Sequence, residues 1–360
     1  MGDWFEERIS ALNRLDAYRL TYDLNDARVK VKLDANENWH IPTERLRRIV
    51  TEAVEEVDVR KYALGDLQEL SRAVGNRLGI PEESVIPTAG GDQGIDLICQ
   101  AFIGEDDRAV IVHPTYSFYK LRATLAGAHC TEISMNDNFS LPVERILEVG
   151  GDGGMVFVCS PNNPTGNQFL VKELKQLCDD FRGFIIVDEA YVHFAPETII
   201  GEVMRRRNLI VLRTFSKAFA LANLRLGLII GNPAWAPNFL HRVQYPYPIS
   251  GVAANIALRL LDEYDLIEKG VESLKREKSW MSQELARFEG VRVVPSVTNF
   301  LLLSLTTDYE RIHIELLRRG VATKRVGRVL GLSNCIRVTV GTREMNEVFL
   351  TVLGEVLRNA

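Results

Sequence analysis

The feature that most constrains this chain is an alternation that runs from residue 85 to residue 230. Short β-branched or apolar runs are followed by stretches of helical character, six times in succession. The runs are VIPT (85–88), AVIVH (109–113), CTEIS (130–134), MVFVCS (155–160), FIIVD (184–188) and LIVLRT (209–214). The helical stretches behind them span 92–103, 116–126, 142–148, 171–181, 198–206 and 217–222. A run such as Phe184-Ile-Ile-Val187 holds no polar residue, which suits a strand covered on both faces. Strand–helix alternation predicts a mostly parallel sheet with helices on both sides, because parallel neighbours need a crossover between them. Leu226–Ile230 adds a further strand close behind, of antiparallel sense.

Outside this block the pattern changes. Residues 3–20 read as an amphipathic helix, with Trp4, Ile9, Leu12 and Leu15 roughly in phase. A short strand at 29–33, a polar turn at 34–38 and helices at 43–57 and 66–78 follow. After Pro246 come helices at 250–262 and 265–289, strands at 291–294, 299–305 and 335–340, a helix at 309–319 and a closing helix from 343. The expected fold is α/β, with a large domain over 38–246. A smaller α+β domain is formed by 1–37 plus 247–360.

Composition narrows the function. A chain of 360 residues, 46% hydrophobic and 25% charged, buries a core without disulfides or a structural metal. A net charge of −5 argues against a nucleic-acid protein, while leaving room for a local basic pocket. The five cysteines are odd in number and form no Cys-x-x-Cys pair, so reduced thiols in a cytoplasmic protein are expected. The six histidines show no metal-ligand spacing, and no metal is expected. The start MGDWFEERIS lacks the basic and apolar regions of a secretory signal. No apolar run approaches the roughly 18 residues of a membrane span, so no membrane partner is expected.

Four segments carry chemistry, each directly behind a strand or opening a helix. In Arg213-Thr-Phe-Ser-Lys217 a lysine follows a buried strand, where open α/β sheets place their ligands. Alone it reads better as a solvated helix start. Thr214, Ser216 and Arg225 around it offer hydroxyls and a fixed charge suited to a phosphate ester. Asp188 ends the apolar strand 184–188, and a carboxylate there needs a cationic or hydrogen-bonding partner. No Gly-x-x-x-x-Gly-Lys-Ser/Thr loop accompanies it, which removes the nucleotide-hydrolase reading. Ser160-Pro-Asn-Asn163-Pro-Thr-Gly166 is a turn that projects Asn163, or an ordinary loop. Ala89-Gly-Gly-Asp-Gln-Gly94 puts small residues at a helix start, a phosphate cradle that is weak evidence by itself.

Taken together and in this order, the segments resemble the pyridoxal-phosphate aminotransferases of classes I and II, of fold type I. Within that group the chain is most similar to the histidinol-phosphate aminotransferases. The similarity extends from Leu33-Asp-Ala-Asn-Glu37 through Val187-Asp-Glu-Ala-Tyr191 and Thr214-Phe-Ser-Lys-Ala218 to Ile336-Arg-Val-Thr-Val-Gly-Thr-Arg-Glu344. The resemblance implies pyridoxal 5'-phosphate bonded to Lys217, with Asp188 at the pyridine nitrogen and Asn163 and Tyr191 at the ring hydroxyl. It implies Tyr116 on the ring face, and Thr214, Ser216, Arg225 and the backbone at Gly91 and Asp92 on the phosphate. Tyr62 would reach that phosphate from the partner of a homodimer, although Ala63 stands where the family has proline.

Arg337 would clamp the substrate carboxylate, with Asn36 and Tyr18 lining the pocket. A substrate phosphate would meet Lys324 or Arg325, with Arg328 nearby. The implied reaction passes an amino group between glutamate and imidazole acetol phosphate. A threonine-phosphate decarboxylase, a broader aromatic aminotransferase and a non-catalytic regulator that binds the cofactor are the alternatives. Trp39, where the family has proline, bears on that choice.

Overall fold

The computed structural model describes residues 4–13, 29–151 and 153–359. The expected helix 3–20 is described only as α1 (Trp4–Asn13), and Tyr18 lies outside the described residues. Next come β1 (Val31–Lys32), α2 (Thr43–Glu56), α3 (Leu64–Leu78), β2 (Val85–Thr88), α4 (Gly90–Phe102), β3 (Arg108–His113) and α5 (Phe118–Leu125). They are followed by β4 (His129–Ser134), α6 (Val143–Gly150), β5 (Met155–Cys159), α7 (Val171–Asp180), β6 (Phe184–Asp188), β7 (Leu209–Thr214) and β8 (Gly227–Gly231). The remaining elements are α8 (Ala236–Arg242), α9 (Gly251–Asp262), α10 (Tyr264–Leu285), β9 (Val291–Val294), β10 (Phe300–Leu305), α11 (Tyr309–Arg318), β11 (Val321–Ala322), β12 (Lys324–Val329), β13 (Leu332–Thr339) and α12 (Arg343–Arg358).

Strands β2 to β8 form one seven-stranded sheet in the order β2-β8-β7-β6-β5-β3-β4. The pairs from β7 through β6, β5 and β3 to β4 are parallel, and β8 runs antiparallel to both its neighbours, as Leu226–Ile230 suggested. Strands β5, β6, β7 and β8 are buried almost throughout, and apolar clusters cover both faces of the sheet. The chain moves outward from β3 to β4 and then returns to the other side of β3 for β5. Such a reversal opens a crevice at the carboxyl ends of the strands. A second sheet, β12-β13-β10-β9, is antiparallel throughout.

Two expected helices are absent. Over 198–206 there is one 3-10 turn, Ile200–Glu202, because Thr198 and the Ile199 amide are turned inward onto the carboxylate of Glu189. Over 217–222 the chain forms a turn instead, with Ala220 at φ 57° and Arg225 at φ 51° bracketing a 3-10 turn at Ala222–Leu224. Backbone held at positive φ by non-glycine residues is costly and occurs where surrounding contacts impose it. Strand β12 had no counterpart in the sequence pattern. Its alternation is polar on both sides, and its pairing with β13 is irregular around Gly327.

Gly227, where β8 meets β2 and β7, passes so close to the start of α4 that a Cβ would lie 2.4 Å from the Gly90 carbonyl carbon and 2.6 Å from the Gly91 nitrogen. Both neighbours are backbone, so neither can rotate away. Gly227→Ala is expected to lower stability by about 1–3 kcal/mol, as overpacking of a tight core does. Urea unfolding of the purified variant measures the loss, and an unchanged midpoint would show that the sheet can absorb the methyl group.

Candidate active site

The carboxyl ends of β2, β3, β5, β6 and β7 and the start of β8 all reach one edge of the large sheet. A cavity of about 300 Å³ lies there. Twelve of the residues singled out from the sequence line it, namely Asn36, Gly91, Asp92, Tyr116, Asn163, Asp188, Tyr191, Thr214, Ser216, Lys217, Arg225 and Arg337. They come from segments up to 301 residues apart, Asn36 to Arg337, and the parallel topology is what brings them together.

Lys217 sits just past β7, and its Nζ donates to the backbone carbonyl of Ala35 at 3.1 Å. Burial lowers its pKa to about 8, and the positive charge of Arg337 adds to the effect, while Glu37 and Asp92 oppose it. Asp188 lies at the floor. Its Oδ2 accepts from the Tyr119 hydroxyl at 2.5 Å and its Oδ1 from the Ala190 amide at 2.9 Å. Burial pushes this carboxyl above its ordinary value, and the two hydrogen bonds pull it back down. The Tyr191 hydroxyl accepts from Asn36 Nδ2 at 2.9 Å, and burial pushes that phenol above its ordinary value.

At the far end the first turn of α4 presents Gly90 and Gly91. The residue before it, Ala89, has no side-chain oxygen to cap the helix, so the start of α4, where Gly91 and Asp92 line the cavity, has no side-chain cap. Thr214 and Ser216 hydroxyls bond each other at 3.0 Å, and Arg225 pairs with Asp92 at 2.9 Å. A Cβ on Gly90 would meet the Arg225 guanidinium at 2.7 Å, so glycine there admits the arginine to the cradle. Uncapped amides, hydroxyls and a guanidinium form a donor set suited to a dianionic phosphate.

Arg337, on β13, is buried and reaches across from the small sheet. It donates to Asn163 Oδ1 at 2.6 Å and to the backbone carbonyl of Asp34. Lys324 on β12 is the direct cross-strand partner of Arg337, so both side chains leave the same face of the sheet. Arg325 faces the opposite side and is exposed, and Arg328 is exposed beyond the Gly327 irregularity. None of Lys324, Arg325 and Arg328 lines the cavity itself, and of the three Lys324 is the direct cross-strand partner of Arg337. Tyr62 does not line the cavity either. It is 73% exposed and stacks on Tyr247 with ring centroids 3.8 Å apart.

Three supports of the site lie outside the residues that the sequence marks. Tyr119 holds Asp188; its spacing of three residues from Tyr116, at the start of α5, was the available signal. Asn162, almost fully buried, joins the loops behind β3 and β5 by bonding the Thr115 hydroxyl and the Pro114 carbonyl, both at 2.8 Å. Glu189 and Arg213 form a buried pair beneath the site. Two N–H groups of Arg213 donate to Glu189 Oε2 at 3.0 and 2.7 Å, and Thr198 and the Ile199 amide satisfy the other oxygen.

A doubly wound sheet with an uncapped phosphate cradle, a lysine beyond one strand and a buried aspartate ending the next defines a fold-type-I transferase of the pyridoxal-phosphate-dependent kind. The family model for aminotransferase class I and II matches residues 28–353, so the chain belongs to the class I and II aminotransferases, enzymes that work through pyridoxal 5'-phosphate. Among curated proteins, the histidinol-phosphate aminotransferase of Caldanaerobacter subterraneus subsp. tengcongensis is 31% identical over 339 residues, covering 93% of this chain and 95% of the relative. Among solved structures, the histidinol-phosphate aminotransferase of Sinorhizobium meliloti in complex with pyridoxal-5'-phosphate superposes with a TM-score of 0.85 at 21% identity, over 94% of this chain and 96% of that one. The L-threonine-O-3-phosphate decarboxylase of Porphyromonas gingivalis superposes with a TM-score of 0.80 at 22% identity, over 91% and 99%. At such identities the likeness shows the fold, which transamination and decarboxylation share.

The Glu189–Arg213 pair gives a direct test of what supports the site from below. Arg213→Met leaves a carboxylate buried without its cation and is expected to cost about 3–5 kcal/mol. The double variant Glu189→Leu/Arg213→Met is expected to recover part of that loss. Denaturant unfolding of both variants checks the order, and equal stabilities would contradict it.

Proposed function

We propose that this aminotransferase passes an amino group between glutamate and imidazole acetol phosphate, giving histidinol phosphate for histidine biosynthesis. The observation that carries the reading is that two cations, Arg337 and Lys324, leave one face of the small sheet, with Arg337 lining the cavity that holds Lys217 and Asp188. A substrate with a carboxylate or a phosphate needs such a group beyond the cofactor site. The names of the curated relatives favour the phosphorylated substrate.

The residues present fit pyridoxal 5'-phosphate. The first turn of α4, Thr214, Ser216 and Arg225 would hold its phosphate, Asp188 its ring nitrogen, Asn163 and Tyr191 its ring hydroxyl, and Tyr116 its face. When bound, that ring supplies an electron sink for charge developing at the substrate α-carbon. Lys217 would bond the cofactor through its aldehyde and would then move a proton at the substrate α-carbon, both of which need the neutral amine. Arg337 fixes the carboxylate of glutamate, and Lys324 attracts the phosphate of the acceptor. By orienting the substrate, these two cations determine which bond at the α-carbon is aligned for cleavage.

The reading includes the domain division 38–246 against 1–37 plus 247–360. The confinement of the two larger sheets to residues 85–231 and 291–339, and the pairing of β1 with β11, support it. It also includes a homodimer, supported by the exposed Val59, Tyr62, Leu64, Tyr245 and Tyr247, with Tyr62 entering the partner's site. A cytoplasmic location fits five free thiols. Among the described residues no helix is long and apolar enough to cross a membrane.

Three measurements test this. Purified protein given glutamate and imidazole acetol phosphate should form histidinol phosphate, and release of CO₂ from threonine phosphate instead would replace the assignment. Lys324→Ala should raise KM for the phosphorylated acceptor roughly tenfold or more, the usual weight of a charged hydrogen bond, while leaving the KM for glutamate nearly unchanged; Arg325→Ala should change neither.

The lysine pKa of about 8 sets the third. The neutral amine is the reactive form, so its fraction is nearly full above that pH and falls about tenfold per unit below it. The rate at which cofactor-free protein captures the aldehyde, followed by absorbance, should fall in the same way as pH drops from 8 to 6. A flat profile would remove Lys217 as the titrating nucleophile.

A further inference from the structure

Tyr119 is a phenol in a place where nothing but a specific contact explains a hydroxyl. It is 1% exposed, on the first turn of α5, with its ring stacked on Phe157 at 5.3 Å and 12° and set edge-on to Tyr116 at 5.6 Å. Its hydroxyl donates to Asp188 Oδ2 at 2.5 Å, at the short end of the range of charge-assisted O–H···O bonds. The other oxygen of Asp188 is held by the Ala190 amide. A phenylalanine would fill the same space, so the oxygen serves the carboxylate and not the packing.

We propose that Tyr119 is a positioning residue for the aminotransferase reaction: its hydroxyl keeps Asp188 ionised and aimed at the cofactor ring nitrogen, and so keeps the proton on that nitrogen. The inference rests on the cofactor placement proposed above. The physical need is visible around the carboxylate. Burial works against its charge, and the acidic Asp92 on α4 lies near enough to add to that effect. The Cys159 thiol on β5 is a neighbour with no positive charge to offer, and burial pushes it to its neutral form. Lys217 is the cation that favours the ionised form, and it becomes neutral in the very steps that use it. The hydrogen bonds from Tyr119 and Ala190 are the supports that do not change through the reaction. Of these two, only Tyr119 can be removed by a side-chain substitution.

Tyr119→Phe deletes the donor and keeps the ring stack. The carboxylate then holds its charge less well, and the proton shared with the ring nitrogen moves toward Asp188. Cofactor affinity of the stripped protein, titrated by absorbance, should fall roughly tenfold or more, the range of one hydrogen bond to a charged group. With ¹⁵N-labelled cofactor, the ring-nitrogen resonance should move from the protonated toward the unprotonated position. In an Asp188→Asn background, Tyr119→Phe should change affinity less than about twofold, because the two substitutions act on one interaction; a purely structural tyrosine would give additive losses.

Should Tyr119→Phe fail to fold, 3-fluorotyrosine at position 119 keeps the shape and strengthens the donor, and the resonance should then move toward the protonated side. Wild-type protein that ignores added cofactor would overturn the placement itself. Wild-type binding with an unmoved nitrogen resonance in the Phe variant, or in the fluorotyrosine protein if the Phe variant does not fold, would overturn the role of Tyr119 alone.

Discussion

The carboxyl ends of β6 and β7 are clasped by one buried ion pair, Glu189 with Arg213, and the site depends on that clasp. Each member stands next to a residue that lines the cavity, Glu189 beside Asp188 and Arg213 beside Thr214. The pair is almost closed to solvent, with Glu189 2% and Arg213 9% exposed. A buried pair contributes little net stability over an apolar substitute, and its use is geometric. Here it fixes the separation of the strand that ends in the aspartate from the strand that leads to the lysine. Thr198 and the Ile199 amide complete the shell of the glutamate, which is why the segment 198–206 gives up helix for a wrapped turn.

Two opposite demands on charge are met within one cavity. In the proposed reaction Lys217 has to be neutral part of the time, and Asp188 has to stay ionised. Burial alone pushes both toward neutrality, lowering the lysine and raising the carboxyl. What separates them is their neighbours. Arg337 stands near the lysine and repels its proton, whereas the carboxylate receives two hydrogen-bond donors. Divergent environments for two titrating groups in one pocket are a mark of acid–base sites.

Sequence periodicity made the large sheet legible because its strands are buried on both faces. FIIVD and LIVLRT are continuous apolar or β-branched runs, and they form β6 and β7 with the bounds expected. The motif residues were legible because the loops behind such strands converge. What stayed hidden has a common cause, which is dependence on partners distant in sequence. β12 is polar on both sides and exists through its pairing with β13, so no local signal marked it. Lys324 and Arg325 are adjacent in sequence, and register alone separates their faces, since one residue of shift exchanges them. Tyr119 belongs to none of the four segments that carry chemistry in the sequence. Its meaning lies in Asp188, 69 residues away.

The segment 34–38 explains how two sheets come to share a site. Its carbonyls accept from residues of both. Ala35 takes Lys217 from the large-sheet side, while Asp34 takes Arg337 and Asn36 takes Asn299 from the small-sheet side. Asn38 returns a bond to the carbonyl of Ala218. The segment is thus a backbone bridge, and it is fixed by polar bonds more than by packing. Asn163 closes the same circuit from below, since it follows β5 and yet accepts from Arg337 on β13. A change in what Arg337 holds therefore acts on Asn163, on Asp34 and, through the bridge, on the carbonyl that faces Lys217. Arg337 and Lys217 are joined by two bonds to one short stretch of backbone, so that in the proposed reaction capture of a substrate carboxylate by Arg337 has a direct route to the lysine.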